Sequence, residues 1–255
     1  MILFLDIGNT HTHVGLANGT RLLRSKDFST ASVKAGEFAG QLKAWLRTAQ
    51  PKGAALASVV PAATAPAQAA LRGLFGFEAL ALGPATLVDV GIDYPRPETI
   101  GQDRLANALA AKHHFGAPVV VVDFGTAVTF DVVDRRGFYV GGIIAPGLAA
   151  MTDYLHEKTA LLPRIRVREP RGVIGKNTEH AMLVGAVHGY RGLVRELIAE
   201  LKGELRARRL PVVATGGYAK LIAARLPEIT AVRPHLTLDG LRLLWAGHHP
   251  GERAS

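Results

Sequence analysis

Two stretches of this sequence, LFLDIGNTHTHVGL at 3–16 and VVVDFGTAVTFDVV at 120–133, follow one plan. In each, an apolar run leads to an aspartate, one more apolar residue and a glycine. A second stretch rich in Thr and Val follows. A short apolar run bounded by turn residues predicts a buried strand, and the glycine lets the chain reverse at close quarters. Repetition at the head of both halves predicts a duplicated unit, 1–116 and 117–255. Two similar lobes are expected to leave a cleft between them, where ligands commonly sit.

The rest of the pattern supports an α/β reading. Strands are expected at 2–6, 12–17 and 20–28, with Asn18-Gly19 as a hairpin turn. A helix at 34–48, a strand in GAALASVV, a helix at 64–74 and a short strand at 77–82 follow. Residues 84–100 carry three prolines and read as an irregular connection before a helix that starts in GQDRLANALAAKHHF. The second half repeats the order, with strands in PVVVVDFG, TAVTFDVVD and FYVGGIIAPG, helices at 148–160 and 178–203, and the strand PVVATGG. A short strand near 229–233 and a final helix, LDGLRLLWAGH, complete it, and the tail PGERAS is expected to fray. Trp45 and Trp245 sit in helical patterns and read as core.

The chain's 255 residues suffice for two mid-sized domains, and 48% apolar with 20% charged residues is a globular balance. No apolar run is long enough for a membrane span, and the N-terminus lacks the basic start of a signal peptide. Zero cysteines exclude disulfides and thiolate metal sites and accord with a cytoplasmic location. The net charge of +9 is spread out apart from RIRVREPR at 164–171 and ELRARR at 204–209. Such mixed clusters read as solvated faces, so no nucleic-acid or membrane partner is expected.

Three glycine-marked strand ends carry the chemistry. Turn amides after Asp6 and Asp123 suit phosphate oxygens, and a carboxylate there suits a cation. TGG at 215–217 allows close approach of a flat ligand. The DFG triplet is no protein-kinase signature, because no glycine-rich loop with its lysine and no HRD loop accompany it. No Walker-type Gly-Lys-Ser/Thr occurs. None of the ten histidines forms a convincing metal set.

The series DIGNT (6–10), SVVP (58–61), DYPRPETIGQDRLAN (93–107), VDFGTAVTFD (122–131), GGIIAPG (141–147), IGKNT (174–178) and ATGG (214–217) resembles the type III pantothenate kinases. These belong to the acetate and sugar kinase/Hsp70/actin superfamily. The resemblance implies two actin-like, ribonuclease H-like lobes of βββαβαβα type. It implies ATP-dependent phosphorylation of pantothenate to 4'-phosphopantothenate, the first step towards coenzyme A. By the same resemblance Asp6, Ile7, Gly8, Asn9, Thr10, His11, Thr12 and His13 hold ATP phosphates, with Mg²⁺ at Asp6. Thr126, Gly216 and Gly217 are further ATP contacts, and Asp123 binds a monovalent cation, potassium or ammonium. Tyr94, Gly101, Gln102, Asp103, Arg104 and Thr178 match pantothenate-binding positions, and Asp103 matches the general base. A cytoplasmic homodimer is usual in the family.

Arg104 suits a fork onto the substrate carboxylate, or a salt bridge with Asp6, Asp103 or Asp123. Asn107, one helical turn further on, faces the ligand or braces the loop. Two rival functions remain: a catalytically silent relative acting as a transcriptional accessory factor, and another superfamily activity such as a sugar kinase or polyphosphate phosphatase.

Overall fold

The computed structural model describes residues 1–19 and 21–252. Thr20, the expected start of the third strand, lies outside them, as does the tail from Arg253. The chain divides into two compact units: Met1–His114 together with the segment that begins at Leu236, and Phe115–His235.

In the first unit β1 (Ile2–Ile7), β2 (His11–Asn18) and β3 (Arg21–Ser29) form an antiparallel meander. β4 (Ala54–Ser58) and β5 (Leu80–Ala81) extend it in parallel, giving the order β3-β2-β1-β4-β5. Alternation sorts the side chains. Leu3, Leu5, Ile7, Val14, Leu16 and Leu56 face one core, closed by helices α1 (Thr30–Lys34), α2 (Phe38–Leu46) and α3 (Pro61–Phe75). The expected single helix at 34–48 is two, because Gly36 at φ +82° breaks the run where a side chain would be strained. α3 begins with proline at its first turn and ends on the left-handed Gly76, the usual asymmetry of helix ends. A two-residue strand β6 (Gly91–Ile92) interrupts the proline-rich connection to α4 (Gln102–Phe115).

The second unit repeats this plan. β7 (Val119–Phe124), β8 (Ala127–Val133) and β9 (Phe138–Pro146) form the meander, and β10 (Val212–Thr215) and β11 (Ala231–Val232) add in parallel. Among the second unit's own strands the order β9-β8-β7-β10-β11 matches that of the first unit's five. β1 and β7 also share one burial pattern: four buried residues, a half-buried aspartate, then a buried residue. Duplication is thus a property of the fold as well as of the motif. α5 (Leu148–Lys158), α6 (Thr178–Val184), a π-helical turn at Gly185–Gly189, α7 (Tyr190–Glu204) and α8 (Ala219–Ala223) complete the unit.

One element crosses the expected boundary. The duplicated motif groups the last helix, α9 (Leu236–His248), with 117–255, yet it packs on β1, β2 and β4 of the first unit. Glycines make that fit. A Cβ on Gly53 would lie 2.7 Å from Trp245 Cζ2, and one on Gly240 would lie 2.6 Å from the Ala106 carbonyl carbon. Thr237 also donates to Asn107 Oδ1 at 2.9 Å, both residues buried, so Asn107 braces the α4–α9 contact. Of the tail, Pro250–Glu252 form a 3₁₀ turn.

Gly240→Ala should therefore lower unfolding free energy by about 1–3 kcal/mol through overpacking. Gly73→Ala, in α3 with nothing within 4 Å of the added methyl, should raise it by about 0.4–1 kcal/mol. Urea denaturation of the two variants checks the opposite signs.

Candidate active site

The site of the first unit grows from the carboxyl end of β1. The strand is buried on both faces until Asp6, whose half-buried side chain lies on the face opposite Leu5 and Ile7. Gly8 then reverses the chain, its N–H donating to the His11 carbonyl at 3.0 Å. A Cβ there would meet that oxygen at 3.1 Å, so the turn is tight. Asn9, Thr10 and His11 are exposed at its tip. Thr12 is different: its side chain is fully buried, the hydroxyl 3.0 Å from that of Thr30.

Register places three polar groups in a row on the other face. Asp6 is opposite His13, and His13 is opposite Asp27. His13 Nδ1 lies 2.6 Å from Asp27 Oδ1, which leaves the far ring nitrogen to face elsewhere. His11 stands 6.2 Å from the His13 ring, centroid to centroid.

β4 runs beside β1, with Ser58 opposite Ile7, and the Val59 N–H donates to the Ile7 carbonyl. The Ser58 N–H donates to Gln102 Oε1 at 2.8 Å. This bond fastens the head of α4 to the sheet end that carries the Asp6 turn. Gln102, expected as a substrate contact, thus has its carbonyl oxygen engaged in holding the helix.

Asp103 occupies the first turn of that helix. Its Oδ1 accepts from the Arg104 N–H at 2.8 Å, and a Cβ on Gly101 would lie 2.5 Å from it. Only glycine lets the carboxylate fold back over the helix start. Burial pushes the Asp103 carboxyl above its usual range, against the opposing pull of the Arg104 N–H and guanidinium. A carboxylate raised in this way is a stronger base than a free one and suits proton abstraction from an alcohol. Tyr94 is partly exposed in the preceding connection.

The second unit carries the counterpart turn. Gly125 N–H donates to the Ala127 carbonyl at 3.0 Å, and Thr126 is exposed at its tip. Asp123 is half-buried, paired in register with Thr129 and Thr215. Gly216, at φ +88°, crosses beside it, where a Cβ would lie 2.5 Å from Asp123 Oδ1. The adjacent Gly217 is exposed, and so is Thr178, the first residue of α6. A half-buried carboxylate in register with two threonines offers the oxygen donors that a weakly held cation takes. At Asp6, a strand-end carboxylate beside exposed turn amides fits Mg²⁺ shared with phosphates.

Several positions had no role in the sequence reading. Thr30, Ser58 and the gripping function of Gln102 emerge only when strand ends are placed side by side. Asp131, fully buried, accepts from the Tyr139 hydroxyl at 3.3 Å. Arg191 is buried and forks onto Glu169 at 3.1 and 2.7 Å, holding that carboxyl below its usual range. It also donates to the carbonyls of Leu221 and Ile222. The RIRVREPR stretch is therefore anchored through Glu169 and the buried Ile165, while Arg164 and Arg168 make exposed ion pairs.

Repeated meander units, each with an acidic glycine turn at a strand end, define the fold class, a duplicated α/β architecture with two actin-like units. Solved structures agree on the fold. A protein from Campylobacter jejuni described as a conserved Baf family transcriptional activator superposes with a TM-score of 0.62 at 18% identity, covering 97% of this chain and 98% of its own. A ROK family glucokinase from Streptomyces griseus gives 0.54 at 13% identity, covering 95% and 98%. Sequence is more specific. The profile of the type III pantothenate kinases matches residues 2–200. A type III pantothenate kinase from Akkermansia muciniphila is 46% identical, covering 94% of this chain and 96% of its own length. One from Geobacter sulfurreducens is 39% identical, covering 96% and 98%. The chain belongs to the type III pantothenate kinase family, and it is an enzyme that phosphorylates pantothenate in coenzyme A synthesis. The accessory-factor alternative is not favoured.

Gly216→Ala tests the geometry of the second turn. The added methyl meets Asp123 in a backbone conformation that L residues rarely adopt, so unfolding free energy should fall by about 1–3 kcal/mol and turnover should fall with it. Urea unfolding and a coupled ADP-release assay read the two effects.

Proposed function

We propose that Asp103 is the general base that activates the primary alcohol of pantothenate towards the γ-phosphorus of ATP. The observation that carries this reading is the raised, half-buried carboxylate at the head of α4, fastened through Gln102 and Ser58 to the sheet end that bears the Asp6 turn. Asp103 takes the hydroxyl proton as the alcohol oxygen bonds to phosphorus. The bond to the β-phosphate oxygen breaks, and ADP leaves with its electron pair, giving 4'-phosphopantothenate. Amides of the 6–13 turn, with Asn9, Thr10, His11 and His13, hold the transferring phosphates, as preorganised donors do where charge accumulates. Mg²⁺, when bound with Asp6 among its ligands, neutralises phosphate charge.

On the acceptor side Arg104 forks onto the pantothenate carboxylate, with Tyr94, Gly101, Gln102 and Thr178 completing substrate recognition. Asp123 holds potassium or ammonium, and Thr126, Gly216 and Gly217 contact the nucleotide. The protein works as a cytoplasmic homodimer. No helix among the described residues is long and apolar enough to cross a membrane.

Asp103→Asn should reduce kcat by at least about 10²-fold while nucleotide affinity is kept. A raised carboxyl pKa means that the fold holds the proton more tightly than the unfolded chain does. Its stabilising contribution is therefore complete below the ordinary value, 3.8, and is lost as pH rises through the folded value. At pH 7 the neutral amide should accordingly match or exceed the parent in thermal stability. The parent's acidic limb in kcat/KM should lie above the ordinary carboxylate range, since only ionised Asp103 accepts the proton. A panel of acceptor alcohols with both enzymes decides the matter: turnover of a sugar but not of pantothenate would remove the assignment.

Potassium or ammonium should raise turnover of the parent. Asp123→Asn should abolish that response with a smaller loss of basal rate, as read in a cation titration at fixed ionic strength.

A further inference from the structure

We infer that Thr30 is a positioning residue for the nucleotide loop, acting through Gly8 and Thr12. The inference rests on the 6–13 turn being the phosphate loop. Thr30 follows β3 directly and is fully buried. Its hydroxyl donates to the Gly8 carbonyl at 2.7 Å and lies 3.0 Å from the Thr12 hydroxyl. Its backbone N–H donates to the Thr10 carbonyl at 3.1 Å. One residue therefore holds both sides of the turn from beneath. With the Gly8 and Thr10 carbonyls bound on the protein side, the planar peptides direct the next amides, those of Asn9 and His11, away from Thr30. The Gly8 N–H is already used across the turn by His11. Thr12 serves this clamp from inside the core, its side chain having no exposed surface with which to touch a nucleotide.

The second unit shows that the position is a fixed point of the fold. Ser29 pairs with His11 at the mouth of the first turn, and Pro146 pairs with Ala127 at the mouth of the second. The next residues, Thr30 and Gly147, are therefore topological equivalents. Gly147 lies so close beneath its turn that a Cβ would meet the Gly125 carbonyl oxygen at 2.6 Å. The same point is filled by bare backbone in one unit and by a donating hydroxyl in the other. In the first unit the Gly8 carbonyl is set by a removable side-chain bond, and that makes the role testable.

Thr30→Val keeps the shape and removes the hydroxyl, whereas Thr30→Ser keeps the hydroxyl. Initial rates with each substrate varied, and direct ADP binding by calorimetry, should show Thr30→Val with KM for ATP and Kd for ADP raised about tenfold. Its KM for pantothenate should stay within twofold of the parent, and Thr30→Ser should restore ATP affinity to within threefold. Thr12→Val should raise KM for ATP in the same direction, and the double valine variant should add little to the larger single effect. Should Thr30→Val fail to fold, Thr30→Ser and Thr12→Val decide the question by the same readouts. Folded valine variants with unchanged ATP and ADP affinity would overturn the inference, as would a serine variant as weak as the valine one. Asn9→Ala separates the underlying reading. If it weakens ADP while Thr30→Val and Thr12→Val do not, the clamp alone fails; if Asn9→Ala and the valine variants all leave nucleotide affinity unchanged, the phosphate-loop reading fails and the clamp with it.

Discussion

A strand buried on both faces that ends in a half-buried carboxylate is the constraint on which this enzyme is built. At a strand end a half-buried carboxylate stays within reach of solvent, a cation or a hydrogen-bond donor. β1 and β7 meet this condition in the same way, with four buried residues, an aspartate and one further buried residue before a glycine turn. The burial fixes where the aspartate stands. The turn after it exposes Asn9 and Thr10 in one unit and Thr126 in the other, and the meander partner places its own side chains in register beside the carboxylate. Phosphotransfer needs held phosphates and managed charge more than it needs reactive side chains.

The proposed mechanism also requires an acceptor-side base, Asp103, kept close to that strand end. α4 supplies it through a short chain of contacts: the Ile7–Ser58 register, the Ser58–Gln102 bond and the Gly101 bend that lets Asp103 fold back. Each link is local, and none involves a large side chain. The other end of α4 is fixed by the buried Asn107–Thr237 bond and by the close approach of Gly240 to Ala106. Such contacts fix both ends of the helix that carries Asp103. Burial then raises its basicity, so positioning and reactivity come from one cause.

Much of this was legible in the chain. The duplicated strand–Asp–Gly plan, the antiparallel pairing of β2 with β3, the helix beginning at GQDR and the order of strands in each half follow from periodicity and turn chemistry, and the structure contains them. The family motifs likewise led to the enzyme class that the relatives bear out. The rest was hidden for identifiable reasons. Thr30 reads as an ordinary residue at a strand end, because its partners Gly8 and Thr12 are distant in sequence. Arg191 reads as one basic residue of an amphipathic helix, yet it is buried against Glu169 and two carbonyls.

The last helix marks the division most clearly. LDGLRLLWAGH by itself determines an amphipathic helix with a leucine face and small residues able to admit another backbone. It does not determine which sheet that face covers, since both halves offer Val-, Ala- and Leu-rich surfaces. The choice fell to shape. Gly53 leaves room for Trp245, Gly240 meets Ala106, and Thr237 satisfies the buried Asn107, so the helix closes the first unit. Sequence alone determined most of the elements and the duplicated turns, because these depend on neighbours a few residues apart. Tertiary structure decided which buried hydroxyls and glycines hold those turns in place, because such contacts exist only once distant strand ends share a face.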